Sequence, residues 1–319
     1  MSDLMEGARK VIGTCMGVRK GEKVLVVTDP PRAEIGRAIQ MAALESGARC
    51  LMICMGVTRR HGDEPPGVVS YAMRKYDVVI APTTFSLTHT RARREATKSG
   101  ARIATMPMIT EDMMKRGAML ADYRKVSRLT KRLAAKLEGG EEIEVTTDAG
   151  TDLLFSIRGR RAYIDTGIYH NPGEFGNLPA GEVAFAPVEG TGWGRVVIDG
   201  SMAGGNLGKV EIEIRGGRAT GFSGKPAEKI VKMLRSAGPS STNLAEFGIG
   251  TNPSARLIGN VLEDEKVLGT CHVALGDNSS FGGRVKAGIH IDGIFRKPTV
   301  KVDGKVLMKR GRFVGVTPP

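Results

Sequence analysis

From Lys23 onward, short apolar runs alternate with stretches whose apolar residues recur at helical spacing. Lys23-Val24-Leu25-Val26-Val27-Thr28 is rich in β-branched residues and predicts a strand buried on both faces. Asp29-Pro30-Pro31 stops it, and Ile35, Ala38, Ile39, Ala42 and Ala43 then fall on one side of a helix that Gly47 ends. The pattern repeats. Arg49–Met55, Tyr76–Ala81 and Ala101–Met106 read as strands, and Gly67–Lys75 and Thr90–Ser99 as helices, the latter closed by Gly100. Residues Thr110–Leu137 predict further helix, strongly basic on one side. Strands and helices alternating through short links imply a parallel sheet covered by helices, an α/β domain over residues 1–138.

Gly139-Gly140 marks the expected boundary, and beyond it the period changes. Glu142–Thr147 and Asp152–Ile157 flank Asp148-Ala149-Gly150, a hairpin signal. Val210–Ile214 and Ala219–Phe222 do the same around Gly216-Gly217, and Thr299–Val302 and Lys305–Leu307 around Asp303-Gly304. One helix, Pro226–Leu234, interrupts. Residues 139–319 therefore read as an α+β domain rich in antiparallel strands.

Composition narrows the class. The 319 residues suit two domains, and 41% apolar content supports packed cores. No run approaches about eighteen apolar residues, so no membrane association is expected. Met1–Val18 mixes Asp3, Glu6, Arg9 and Lys10 with apolar residues rather than following a signal-peptide layout, which favours a cytoplasmic protein. Four scattered cysteines exclude a disulfide framework, and Cys50 and Cys54, inside an apolar run, are expected as buried thiols. The net charge of +13 is uneven: residues 1–138 hold 25 basic and 14 acidic side chains, residues 139–319 hold 22 and 20. With only 5% aromatic residues there is no stacking platform for single strands, so a nucleic-acid partner is not expected.

The link after the first strand lacks the glycine triplet that cradles a pyrophosphate, so a dinucleotide site is not supported. The second half is more informative. In a strand, His290 and Asp292 of Ile289-His290-Ile291-Asp292 project to the same face, a nitrogen and a carboxylate suited to zinc, manganese, cobalt or iron. His272 lies in Cys271-His272-Val273-Ala274-Leu275-Gly276, a second strand-like run. Glu182 and Glu246 are isolated acids in otherwise apolar strings, where a charge is costly unless paired. These five residues suit a two-metal centre, and the set also contains the 2-His-1-carboxylate triad of a single non-haem iron.

Several segments together resemble the thermophilic metalloaminopeptidases of the aminopeptidase T and aminopeptidase S type. They are Leu87-Thr88-His89-Thr90, Gly100-Ala101-Arg102-Ile103-Ala104-Thr105-Met106-Pro107, Gly150-Thr151-Asp152-Leu153 and Leu178-Pro179-Ala180-Gly181-Glu182-Val183. The Glu246 segment, His272-Val273-Ala274-Leu275-Gly276 and His290-Ile291-Asp292 complete the series, which spans nearly the whole chain. The resemblance implies an α/β domain followed by a metal-binding catalytic domain, a homodimer, and Glu182, Glu246, His272, His290 and Asp292 as ligands of two divalent ions. Those ions would be zinc or cobalt, with manganese or iron as other candidates. It further implies an aminopeptidase that hydrolyses small peptides through a metal-activated water, with Glu182 or Glu246 as catalytic base. Where that family has a tyrosine, seven residues after His272, this chain has Ser279; Tyr163 and Tyr169 are the nearest phenols in sequence to the Glu182 segment. His89 reads as a capping or packing residue, or else as a contact at the mouth of the site. A more distant group of the same general fold, similar to 2,5-dihydroxypyridine dioxygenase, uses one iron to open an aromatic ring. Keeping both glutamates beside the histidines favours the two-metal reading.

Overall fold

The computed structural model describes residues 2–203, 205 and 208–316. The described chain forms two compact units. One runs up to Ser127 and adds Asp165–Ala180, and the other comprises Arg128–Ile164 and the chain from Gly181 onward.

In the first unit, β1 (Lys23–Thr28), β2 (Arg49–Cys54), β3 (Val78–Thr83) and β4 (Arg102–Pro107) pair in parallel in the order β2-β1-β3-β4. The later segment Phe175–Asn177 joins β4 as a fifth parallel strand. β3 and β4 are buried at every position, as expected when helices cover both faces. β2 departs from expectation because it is an edge strand. Leu51 is exposed, Cys54 is exposed and Cys50 half-buried, so neither cysteine is the core thiol predicted; Cys15 and Cys271 are the buried ones. The basic segment expected as continuous helix breaks into Glu111–Lys115 and Tyr123–Leu137. Thr110 caps the first piece by accepting from the Met113 amide, and Asp122 restarts the chain by accepting from the amides of Arg124 and Lys125. Thr90, rather than His89, caps the helix Arg91–Lys98, through the Arg93 amide.

In the second unit, three hairpins supply most of an eight-stranded antiparallel sheet. They are Glu142–Thr146 with Asp152–Ser156, Val210–Arg215 with Arg218–Ser223, and Thr299–Val302 with Lys305–Lys309. Trp193–Ile198, which the sequence pattern did not reveal, stitches the first hairpin to the second. A second sheet contains β5 (Glu182–Phe185), β6 (Leu244–Gly250), β7 (Cys271–Gly276) and β8 (His290–Phe295), paired antiparallel in the order β8-β7-β6-β5. Val183, Phe185, Phe247, Ile249, Cys271, Val273, Leu275, Ile291 and Phe295 enter a core shared with the first sheet, where the Phe155 and Phe247 rings meet at 5.1 Å. The architecture is thus a parallel sheet with helices followed by an antiparallel, strand-rich region. Among the described residues no helix is long and apolar enough to cross a membrane.

Candidate metal centre

Strand period places the candidate residues. Residues at alternate positions share a face, so with Val183, Phe247, Val273 and Ile291 turned to the core, Glu182, Glu246, His272, His290 and Asp292 project from the opposite face. The register puts Gly250 beside Glu182, Gly248 beside His272, Ala274 between Glu246 and Asp292, and Gly276 beside His290. Small residues therefore separate the long polar ones and leave room for their heads to converge.

All five residues come together, with one that sequence reasoning missed. Ligand atoms of Glu182, Glu246 and His272 lie within 4.8 Å of one another, as do those of Glu246, His290 and Asp292, and those of Glu265, His272 and Asp292. Each of these groups shares a residue with each of the others. Glu246 is the hinge between the imidazoles: its Oε1 is 3.5 Å from His272 Nε2 and its Oε2 is 3.1 Å from His290 Nε2. His290 Nε2 is also 3.3 Å from Asp292 Oδ1, and His272 Nε2 is 3.5 Å from Glu182 Oε2. The Nδ1–H of His290 donates to the Asp277 carbonyl at 2.7 Å, which orients the ring and turns Nε2 toward the carboxylates. The Phe281 ring stands edge-on to that imidazole at 5.9 Å.

Electrostatics show how strongly the cluster wants positive charge. Burial opposes a charged ring at His272, yet the Glu246 hydrogen bond and the charges of Glu182, Glu246 and Glu265 hold it up to about 9. At His290 burial is likewise outweighed, by Asp292 and Glu246, and the ring is held well above its ordinary value. Burial also works against the Glu246 anion, but the two imidazoles hold its carboxyl far below the usual range. Burial, then the facing charges of Glu182 and Asp292, push Glu265 up to about 8 against the pull of Lys266 and His272. The surrounding carboxylates thus favour a proton on each imidazole. Glu182 Oε2 is buried and without a hydrogen-bond partner. This donor set, nitrogen and carboxylate with an orphaned buried oxygen, fits a divalent metal.

Lys266 and its surroundings carry no local signal in the sequence. Leu262-Glu263-Asp264-Glu265-Lys266 looks like a solvated charged run, yet Glu263, Asp264 and Lys266 are fully buried. Glu263 Oε1 accepts from the Arg256 amide at 3.0 Å, and Asp264 accepts from the amides of Ile258 and Gly259 at 2.7 and 3.0 Å. Lys266 Nζ donates to Glu182 Oε1 and Glu265 Oε1, each at 2.6 Å. Two other expectations find no place at the cluster. Ser279 is exposed and its hydroxyl donates to Asp277 Oδ1 at 2.8 Å, and the Tyr169 hydroxyl is engaged inside the first unit by Asp165 and the Asn177 carbonyl.

Over 98% of its length the chain superposes on 97% of a 2,5-dihydroxypyridine dioxygenase from Pseudomonas putida KT2440, with a TM-score of 0.84 at 20% identity. It covers 99% of wild-type AmpT from Thermus thermophilus with a TM-score of 0.74 at 17% identity, again over 98% of this chain. At these identities both likenesses speak for the fold. No curated protein sequence matches the chain at a significant level. The family model that matches, over residues 3–315, is NicX: 2,5-dihydroxypyridine 5,6-dioxygenase. This corrects the expectation of a peptide-hydrolysing aminopeptidase: the family is one of oxidoreductases, and neither the hydrolase class nor a specific zinc or cobalt pair stands. The error has a plain source, since Glu182, Glu246, His272, His290 and Asp292 sit in one sheet of a fold that both kinds of protein share. With 3–315 matched, the chain belongs to the NicX family, described as 2,5-dihydroxypyridine 5,6-dioxygenase.

Proposed function

We propose that this protein is a mononuclear non-haem iron dioxygenase that opens a dihydroxylated pyridine or closely similar aromatic ring. The observation that carries the reading is the match to the dioxygenase family over residues 3–315, joined to Glu246, His290 and Asp292, whose ligand atoms lie within 4.8 Å of one another on one sheet face. Glu246, His290 and Asp292 would hold the ion and leave positions open, with His272 as the neighbouring nitrogen, its Nε2 3.5 Å from Glu246 Oε1. Ferrous iron, when bound, supplies the redox chemistry that lets dioxygen react with the ring.

The chain's own residues do the rest. The Asp277 carbonyl fixes the His290 tautomer so that Nε2 is the ligand atom. Phe281 stands edge-on to one side of that imidazole. Of the two glutamates expected as bases, Glu182 gives Oε1 to Lys266, whereas Glu246 turns both oxygens toward the imidazoles. Glu246 is therefore committed to the ligand side, and Glu182 Oε2, without a hydrogen-bond partner, is the carboxylate oxygen left to take the proton that a ring hydroxyl loses on binding. Both atoms of one dioxygen end in the product as the ring carbon–carbon bond breaks.

Protein stripped of metal, loaded with iron(II) without air and then mixed with 2,5-dihydroxypyridine should consume one dioxygen per ring lost. The zinc-loaded protein should consume none. Folded, iron-loaded protein that leaves both the ring and dioxygen untouched across dihydroxylated pyridines and benzenes would refute the reading.

A further inference from the structure

A fully buried lysine is costly unless its charge is balanced, and here the balance comes from acids of the metal cluster itself. We propose that Lys266 is a built-in cation that takes the place of a second metal ion and holds this centre to one. The proposal rests on the metal reading of the cluster given above.

The geometry divides the cluster into unequal sides. Of its overlapping groups, the one with Glu182 and the one with Glu265 each contain a carboxylate whose Oε1 lies 2.6 Å from Lys266 Nζ. Among the described residues, only the group of Glu246, His290 and Asp292 contains no carboxylate bonded to that ammonium. An ion placed at Glu182 Oε2, beside His272, would share a single carboxylate with the lysine, two like charges on one group in a buried site. An ion beside His290 meets no such neighbour. The lysine side chain is fully buried, and the backbone from which it starts is held on both sides. Its amide donates to the Glu263 carbonyl at 3.0 Å and its carbonyl accepts from the Asn252 amide at 2.8 Å. Gly250 presses on the same turn: a side chain there would come within 2.1 Å of the Val267 carbonyl oxygen and 2.8 Å of the Lys266 carbonyl carbon. Lys266 is in these terms a positioning residue, acting through Glu182 and Glu265.

The consequence is chemical. A metal pair suits hydrolysis, because two ions clamp the attacking and leaving oxygens. A single ion with free positions suits the binding of a ring and dioxygen together. One lysine on a loop would then select between them.

The test counts ions. Wild-type protein and the variants Lys266→Met, Lys266→Gln and Lys266→Arg are loaded with an excess of iron(II), zinc(II) or cobalt(II), desalted, and assayed by elemental analysis beside thermal melting. One ion per chain is expected in the wild type and in Lys266→Arg, and two in folded Lys266→Met and Lys266→Gln with zinc or cobalt. A single ion in the folded Met and Gln variants, or two in the wild type, overturns the proposal. Anomalous scattering from a crystal of cobalt-loaded wild-type protein decides the matter without any variant: one peak beside His290 supports it, and a peak beside Glu182 overturns it. The two readings fail separately, since wild-type protein that binds no metal removes the centre itself, whereas two ions remove only the role of Lys266.

Discussion

Gly248 offers a clean steric probe of the centre, because it faces His272 directly across the β6–β7 register. A Cβ added there would lie 2.1 Å from the ring's Cε1, 2.2 Å from Nε2 and 3.0 Å from Nδ1. Ordinary contact begins at 3.4 Å, so the imidazole must retreat by about 1.3 Å. A coordination bond tolerates about 0.2 Å of error, so Gly248→Ala moves Nε2 well outside ligating range. Misplacement by about 1 Å costs roughly 100-fold in rate, which sets the expected loss of turnover. The fold should suffer less. Overpacking costs about 1–3 kcal/mol, partly offset by the roughly 0.4–1 kcal/mol that alanine contributes by restricting the unfolded chain. The Gly248 backbone lies outside the left-handed region, so no strain adds to this. Metal titration, oxygen uptake and thermal melting of the same preparation separate the effects. A folded Gly248→Ala protein with unchanged metal affinity and turnover would show that His272 takes no part in the centre.

Further outcomes follow from the structure. His290→Ala should lower metal affinity by more than the roughly 10–100-fold typical of losing an outer partner, measured by chelator competition; equal affinity in variant and wild type refutes this. Metal uptake near neutral pH should release about two protons per ion, one from each imidazole, because His272 is held up to about 9 and His290 well above its ordinary value without metal. Calorimetry in two buffers of different protonation enthalpy detects this, and affinity should climb as the pH rises toward 9. The sign for the metal-free fold is opposite: a raised imidazole stabilises fully below the ordinary 6.5, and that contribution is lost as pH rises through about 9. In the first unit, Arg102 clasps Glu22 through Nη1 at 3.2 Å and Nη2 at 2.8 Å, so Arg102→Met should cost about 2 kcal/mol in denaturant unfolding.

What the sequence made legible follows from how local each signal is. β1, β3 and β4 are runs whose own composition demands burial, and the three hairpins carry their turn residues between their strands. The period of two was enough to put His290 and Asp292 on one side of a strand. β2 misled because an edge position is a property of the assembled sheet, invisible in Arg49–Cys54 itself. The break between Lys115 and Tyr123 was written in Gly117 and Asp122, but the basic periodicity on either side masked it. Trp193–Ile198 escaped notice because three of its six residues stay exposed. Glu265 and Lys266 were illegible for a deeper reason. A charged run reads as surface unless one knows that Glu182 and His272, distant in the chain, arrive to meet it.

That asymmetry also explains why the residues that resemble a peptidase misjudged the chemistry. The motifs around Glu182, Glu246, His272 and His290–Asp292 lie on strands, where sheet register preserves their relative positions whatever reaction is run. Reaction type depends instead on how the charge of these acids is shared out. Both Glu246 oxygens face imidazole nitrogens, so this carboxylate belongs to the ligand side of the cluster. Glu182 is divided, with one oxygen on an ammonium and the other buried without a hydrogen-bond partner. The loop that follows the Val261–Asp264 helix withdraws half of that carboxylate, and that loop is where the sequence looked least like an active site.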